Sequence, residues 1–312
     1  MAEAASRPKR WSPLLAEHSR ELRIAPVPIE SVNGTLQSRK QDLLAVEEPL
    51  QIRVGYEWNG HRRESNVAIT MRTPGQDREL AAGFLFSEGI LQTPDQVLRI
   101  RQARGVRATK LPRNRVVIDL MPGADFDPRQ FRRNFYVSSS CGVCGKSSIE
   151  SLRSRMVCRL PATIPEIDPS VIYSLPAALR KVQSVFEHTG GLHAAALFDF
   201  AGSLLGVQED VGRHNAVDKL VGSEFLRGRL PAHNAMLLVS GRASFELVQK
   251  ALMAGIPILI AVGAPSSLAV ETALRFRMTL IGFLRQDRFN VYSGAFRASG
   301  NGTPVGISYR PA

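Results

Sequence analysis

From residue 235 to residue 284 the chain alternates short apolar runs with segments patterned for one buried helical face, and few folds accommodate that rhythm. Ala235 to Val239 reads as a strand, Ser244 to Ala254 as a helix, and Pro257 to Val262 as a strand. Ser267 to Phe276 then reads as a helix and Thr279 to Leu284 as a strand. Strands separated by helices of this length imply crossover connections, and hence parallel strands in a layered α/β sheet. Just upstream, AAALFDF at residues 194–200 is followed by a tight Ala201-Gly202 turn and a returning strand through Val207, which makes the expected sheet mixed.

The first half has a different texture. Residues 50–58 and 62–72 alternate as two strands across Asn59-Gly60, the signal for a type I′ hairpin. Asp77 to Leu91 spaces Leu80, Ala81, Phe84, Leu85 and Leu91 for one buried helical face. Strand-like stretches follow near 96–101 and 115–121. Residues 138–148, SSSCGVCGKSS, suit no regular element and read as a mobile loop. The loop ends at a capping box, Ser147 with Glu150, that opens a helix towards Met156; a further helix is expected over 175–187. The expected plan is a loose arm over 1–45, a smaller β-rich N-terminal part over 46–135, the CxxC loop over 136–150 and an α/β domain over 151–312.

Composition narrows the function classes. At 312 residues, with 44% apolar and 22% charged residues, the chain can bury a large core without disulfide staples. No apolar run is long enough to span a bilayer, and MAEAASRPKRWSP is followed by no apolar stretch of the kind a secretory signal needs. Three cysteines make no disulfide framework, so a reducing, cytoplasmic setting is expected, with no membrane partner. The net charge of +12 is concentrated in the first half, where Arg99, Arg101, Arg104, Arg107, Lys110, Arg113 and Arg115 cluster. Such a field attracts anions. No nucleic-acid motif or aromatic signature accompanies it, so nucleic acid is not expected as a partner.

Cys141-Gly142-Val143-Cys144 is the sharpest chemical feature. Lys146 and the start of the following helix favour thiolate, and Gly142 and Gly145 leave the sulfurs accessible. Four chemistries compete for it: half of a zinc site, a thioredoxin-like dithiol, a deaminase zinc motif and a nucleophilic thiol carrying sulfur as persulfide. Zinc would need Cys158 and a histidine to complete the set. A dithiol of that kind belongs between a strand and a helix, and a deaminase would place H-x-E before the cysteines. A persulfide carrier asks only for thiolate character and reach. Cys158, among Met156, Val157 and Leu160, reads as a small buried hydrophobe.

Three loops suit an anionic ligand. Asp210-Val-Gly-Arg-His214 precedes a helix, as a phosphate-binding turn or a turn closed by a capping aspartate. Ser240-Gly241-Arg242-Ala243-Ser244 and Gly263-Ala264-Pro265-Ser266-Ser267 each follow a strand and open a helix, the place where α/β folds bind ligands. Neither matches a known phosphate fingerprint, and glycines serving tight turns alone fit as well. Arg285 and Arg288 flank the turn after the last α/β strand, as a phosphate clamp or as ordinary hairpin charges.

Taken in order, SSSCGVCG, GGLHAAAL, EDVGRHNAVDKLVG, SGRASFELVQKALMAGIPIL and TLIGFLRQDRFNVY resemble the formate dehydrogenase accessory sulfurtransferase family, FdhD, over roughly residues 45–295. The resemblance implies a cytoplasmic homodimer whose main domain has a cytidine-deaminase-like fold without the deaminase zinc, and no metal site of its own. It implies a sulfurtransferase that takes sulfur from a cysteine desulfurase as a persulfide on Cys141, with Cys144 assisting. The sulfur passes to the molybdenum (or tungsten) bis(molybdopterin guanine dinucleotide) cofactor, bound as substrate, and formate dehydrogenase is the client. The family's guanine-dinucleotide stretch falls on Phe283, Leu284, Arg285, Gln286, Asp287 and Arg288, while Arg213, His214 and Arg242 are further candidates to hold the ligand. No tightly bound catalytic cofactor is implied. The alternative is a non-catalytic chaperone that binds this cofactor and delivers it to the apoenzyme.

Overall fold

The structure, a computed structural model, describes residues 23–102, 114–124, 126–127, 145–156, 158–163 and 165–297, without the side chains of 145–148 and 296. Cys141 and Cys144 lie outside the described residues.

A ten-pair antiparallel ladder opens the described chain, β1 (Ile24–Asn33) against β2 (Leu36–Ala45). This corrects the expected loose arm over residues 24–45. Pro26 and Pro28 argue against an interior strand, but each strand of a two-stranded ribbon is an edge, where a missing N–H costs little. Gly34-Thr35 makes the turn between the paired Asn33 and Leu36, with Gly34 at φ 60°.

β3 (Glu48–Trp58) and β4 (His61–Arg72) pair across Asn59 and Gly60, both at positive φ as a type I′ turn requires. α1 (Asp77–Ser87) follows, then β5 (Val97–Gln102) and β6 (Arg115–Leu120). These strands form a four-stranded sheet in the order β4-β3-β6-β5. α2 (Gly145–Arg155) begins directly after Cys144, so Ser147 lies inside its first turn and not ahead of it as the capping box implied. The helix expected over 175–187 is two: α3 (Pro169–Arg180), capped by Asp168 accepting from the Ser170 backbone N–H, and α4 (Ser184–Thr189).

The α/β region adds β7 (His193–Asp199), β8 (Leu204–Asp210), α5 (Arg213–Leu226), β9 (Ala235–Val239), α6 (Phe245–Met253), β10 (Ile258–Ala261), α7 (Ser267–Arg275), β11 (Thr279–Gly282) and β12 (Asn290–Ser293). The second sheet runs β12-β11-β10-β9-β7-β8. β9, β10 and β11 are parallel, whereas β7, β8 and β12 join antiparallel, so the sheet is mixed as expected.

Strand periodicity sorts the core. Ala195, Leu197, Leu237 and Leu259 face one apolar cluster, shared with α1, α5, α6, α7 and the inner face of the four-stranded sheet. Ala194, Ala196, Phe198, Leu238 and Ile260 face another, against α3. The two sheets thus share one core through α1 and α5. Those helices touch at Gly83 and Gly222: a Cβ on Gly222 would lie 1.9 Å from the Glu79 carbonyl oxygen. Among the described residues no helix is long and apolar enough to cross a membrane.

Candidate functional site

Because β7 runs antiparallel to β9, its beginning lies beside the end of β9, and the loops after β8, β9, β10 and β11 gather on that same edge. Backbone hydrogen bonds lace them together. Ser240 N donates to Ala194 O at 3.0 Å, Gly263 N to Gly241 O at 2.9 Å and Phe283 N to Gly263 O at 3.0 Å. A short bridge joins Ala243 to Pro265. The edge is therefore a preformed rim at the point where parallel pairing gives way to antiparallel, the usual ligand position in such sheets.

The turn after β8 is fixed from below. Asp210 is wholly buried and accepts from Gly212 N at 2.9 Å, Asn215 Nδ2 at 3.1 Å and Thr73 N at 3.2 Å. Lys219 Nζ, equally buried, lies 2.7 Å from Oδ2, the oxygen that Thr73 N also reaches, and donates to Thr73 O at 2.8 Å. Asp210 is thus the aspartate that closes the turn, and it does not face the rim. Arg213 and His214 begin α5 above it. His214 Nε2 lies 3.0 Å from Glu246 Oε2 and 3.2 Å from Ser244 Oγ, which itself donates to Glu246 at 3.0 Å. The His214 contact holds the Glu246 carboxyl below the usual carboxylate range.

Gly241 lies beside two side chains: a Cβ there would be in ordinary contact, 3.4 Å from His193 Nδ1 and 3.6 Å from Arg213 Cδ. Burial, Arg213 and His214 pull the His193 imidazole below its ordinary range, so it is neutral near pH 7. Arg213 Nε is buried with no hydrogen-bond partner among the described residues. An anion on this rim would meet a guanidinium with unused donor capacity and a neutral imidazole.

Farther along the rim, a hollow of about 690 Å³, open to solvent, is lined by Pro176 of α3, Val262, Leu284, Arg285, Gln286, Asp287 and Arg288. Leu284 forms its floor, 1% exposed and packed in the α3-side core. Arg285 Nη1 donates to the carbonyls of Val262 at 2.7 Å and Leu284 at 2.8 Å, and Arg285 N to Arg288 O at 2.8 Å, which closes the turn. Phe283, 40% exposed at φ 54°, turns into an adjoining recess lined also by Arg285, Arg288 and Asn290. The structure thus brings all six residues of the 283–288 stretch to one place, while Arg213 and His214 belong to the β8 end of the rim. Arg242 is exposed in the loop after β9, packed against Gly263.

His193, Glu246 and Pro176 were not expected as neighbours of the site. His193 could have been found only from the antiparallel register of β7, which no local pattern in GGLHAAAL announces. Cys158 is half-buried beside Gly255, and burial pushes its thiol up, away from thiolate. Among the described residues no group of three His, Cys, Asp or Glu side chains is placed to hold a metal ion.

Fold and rim together define an α/β protein whose mixed sheet ends in an edge that carries Arg213, Arg242, Arg285 and Arg288. The chain belongs to the FdhD/NarQ family, whose sequence model matches residues 45–299. It is 50% identical over 262 residues to the sulfur carrier protein FdhD of Streptomyces avermitilis, covering 83% of this chain and 90% of the relative. It is 42% identical over 274 residues to the protein of the same name in Picrophilus torridus, covering 86% and 97%. The crystal structure of a putative formate dehydrogenase accessory protein from Desulfotalea psychrophila shares the fold, with a TM-score of 0.66 at 23% identity over 89% of this chain and 100% of that one.

Proposed function

We propose that this protein carries sulfur for formate dehydrogenase, accepting it from a cysteine desulfurase as a persulfide on Cys141 and passing it to a molybdenum bis(molybdopterin guanine dinucleotide) substrate held on the rim. The observation that carries the reading is near-half identity, over most of the chain, to proteins named sulfur carriers. In the first step the Cys141 thiolate attacks the outer sulfur of the donor persulfide. That S–S bond breaks, and the donor cysteine leaves as thiolate. Lys146 and the partial positive charge at the start of α2, one residue after Cys144, favour the attacking thiolate. Cys144 assists in the handover.

The substrate is large and polyanionic, and the rim supplies what it needs. Arg285 and Arg288 offer guanidiniums to phosphate, and Asp287 offers a carboxylate suited to the N1–H and exocyclic amine of guanine. Arg213 beside neutral His193 offers a second anion position. The homodimer belongs to the same proposal.

The test is complementation of a strain lacking its own copy of the gene. Cys141→Ser abolishes formate dehydrogenase activity and Cys144→Ser lowers it. Full activity in both variants, with guanine nucleotide still bound, would leave only a chaperone that shelters the cofactor. Arg288→Ala weakens GDP binding by about tenfold or more, the scale of one charge-assisted hydrogen bond.

A further inference from the structure

The inner face of the four-stranded sheet lies on the core; its outer face carries charge that the sulfur chemistry does not use. Glu64 on β4 is approached by three arginines. Arg101 Nη2 lies 2.7 Å from Oε1, while Arg53 Nε, at 3.3 Å, and Arg115, in a direct ion pair, share Oε2. Asp119 on β6 takes Arg99 Nε and Arg101 Nε at 2.7 Å each and Arg62 Nη2 at 3.4 Å. Five guanidiniums thus share two carboxylates, leaving three positive charges uncompensated within the cluster.

The cluster is built, and is more than a chance crowding of surface arginines. Asp119 is only 3% exposed because Gly55, opposite it, has no side chain: a Cβ there would lie 2.0 Å from Asp119 Oδ1. Arg115 Nε is buried with no hydrogen-bond partner among the described residues. Arg99, Arg62 and Arg101 keep 64%, 42% and 38% of their side chains in solvent. Burial first, and the neighbouring Arg115 second, hold Arg53 below its ordinary range.

We infer that this face docks an acidic, carboxylate-rich segment of a partner protein. Arginines whose planes are already set by Glu64 and Asp119 present their remaining N–H edges at little further entropic cost, in the geometry that accepts carboxylates side-on. The face is a pleated surface with no helix to enter a groove. On its outer positions the described residues, among them Gln51, Arg53, Asn66 and Val117, include no aromatic ring on which a base could stack. A protein surface fits it better than a nucleic acid.

The test titrates the full-length protein with a fluorescent 20-residue poly-glutamate peptide and, separately, a 20-nucleotide single-stranded DNA, at low and at 0.5 M salt. The variants are Arg62→Glu/Arg99→Glu and a control of equal charge off this sheet, Arg229→Glu/Arg275→Glu. The inference predicts peptide binding that is lost at high salt and weakened about tenfold or more by the first pair but not by the control. Equal loss in both pairs would reduce the effect to net charge and overturn it. So would tighter binding of the DNA with the same dependence on Arg62 and Arg99, or no peptide binding at low salt. Neither cysteine enters the readout, so the outcome stands whichever way the sulfur reading falls.

Discussion

Beneath the rim of the six-stranded sheet, charges pair one to one and out of water, Asp210 with Lys219 and Asp218 with Lys250, each at 2.7 Å. On the outer face of the four-stranded sheet five arginines crowd two carboxylates, and three of them keep 38–64% of their side chains in solvent. The first arrangement fixes position: Asp210 pins the turn that presents Arg213 and His214, and removing either partner strands a buried charge. The second adds little to folding, because exposed ion pairs are screened and entropically expensive. What an unbalanced cluster retains is attraction for an outside anion.

The largest expected effect tests the first half of that contrast. Lys219→Met leaves Asp210 buried without its cation and should cost about 3–5 kcal/mol in urea unfolding. A loss below about 1 kcal/mol, the range of an exposed pair, would mean that the pair is not the anchor described here. Next comes the crossing that holds the two sheets on one core. Gly222→Ala drives a methyl into the Glu79 carbonyl, and a stability loss of about 1–3 kcal/mol or more is expected from forced backbone separation. Smaller again, Arg99→Leu should change stability by no more than about 1 kcal/mol, with the difference fading in high salt. A salt-independent loss comparable to that of Lys219→Met would erase the distinction between the two regions.

The smallest effect is a titration. The folded His193 midpoint should lie below the ordinary imidazole value of about 6.5. Since the folded state resists the proton, His193 contributes stability that is complete above that value and lost as pH falls through the depressed midpoint. Arg213→Gln should raise the midpoint, read from imidazole NMR shifts, because it removes a nearby positive charge while burial remains. An unchanged midpoint would separate Arg213 from the His193 end of the rim.

Much of this architecture is local and was legible. Ala235–Val239 emerged with the expected bounds, and Asn59-Gly60 placed its hairpin. The hairpin over 24–45 was hidden by prolines and polar residues, and its turn falls on Gly34-Thr35, one residue past the Asn-Gly pair that marks the turn at Asn59-Gly60. The helix expected from 175 starts at Pro169, and the signal passed over was Asp168-Pro169, a cap followed by a proline at the first helical position. α5 misleads in another way: Asp218, Lys219 and Glu224 give it a polar sequence, yet it is buried between the six-stranded sheet and α1. The 283–288 stretch could be named from its motif, but the company of His193 and Glu246 depends on long-range register and helix packing. So does the arginine cluster, whose members come from four strands.

The measurement that bears most directly on the central claim is mass spectrometry of the protein after incubation with a cysteine desulfurase and cysteine. One added sulfur atom, removable by a reductant, is expected on the peptide containing Cys141, and is expected to be lost in Cys141→Ser. Sulfur found only on Cys158, or on no cysteine while the desulfurase itself is fully loaded, would contradict it.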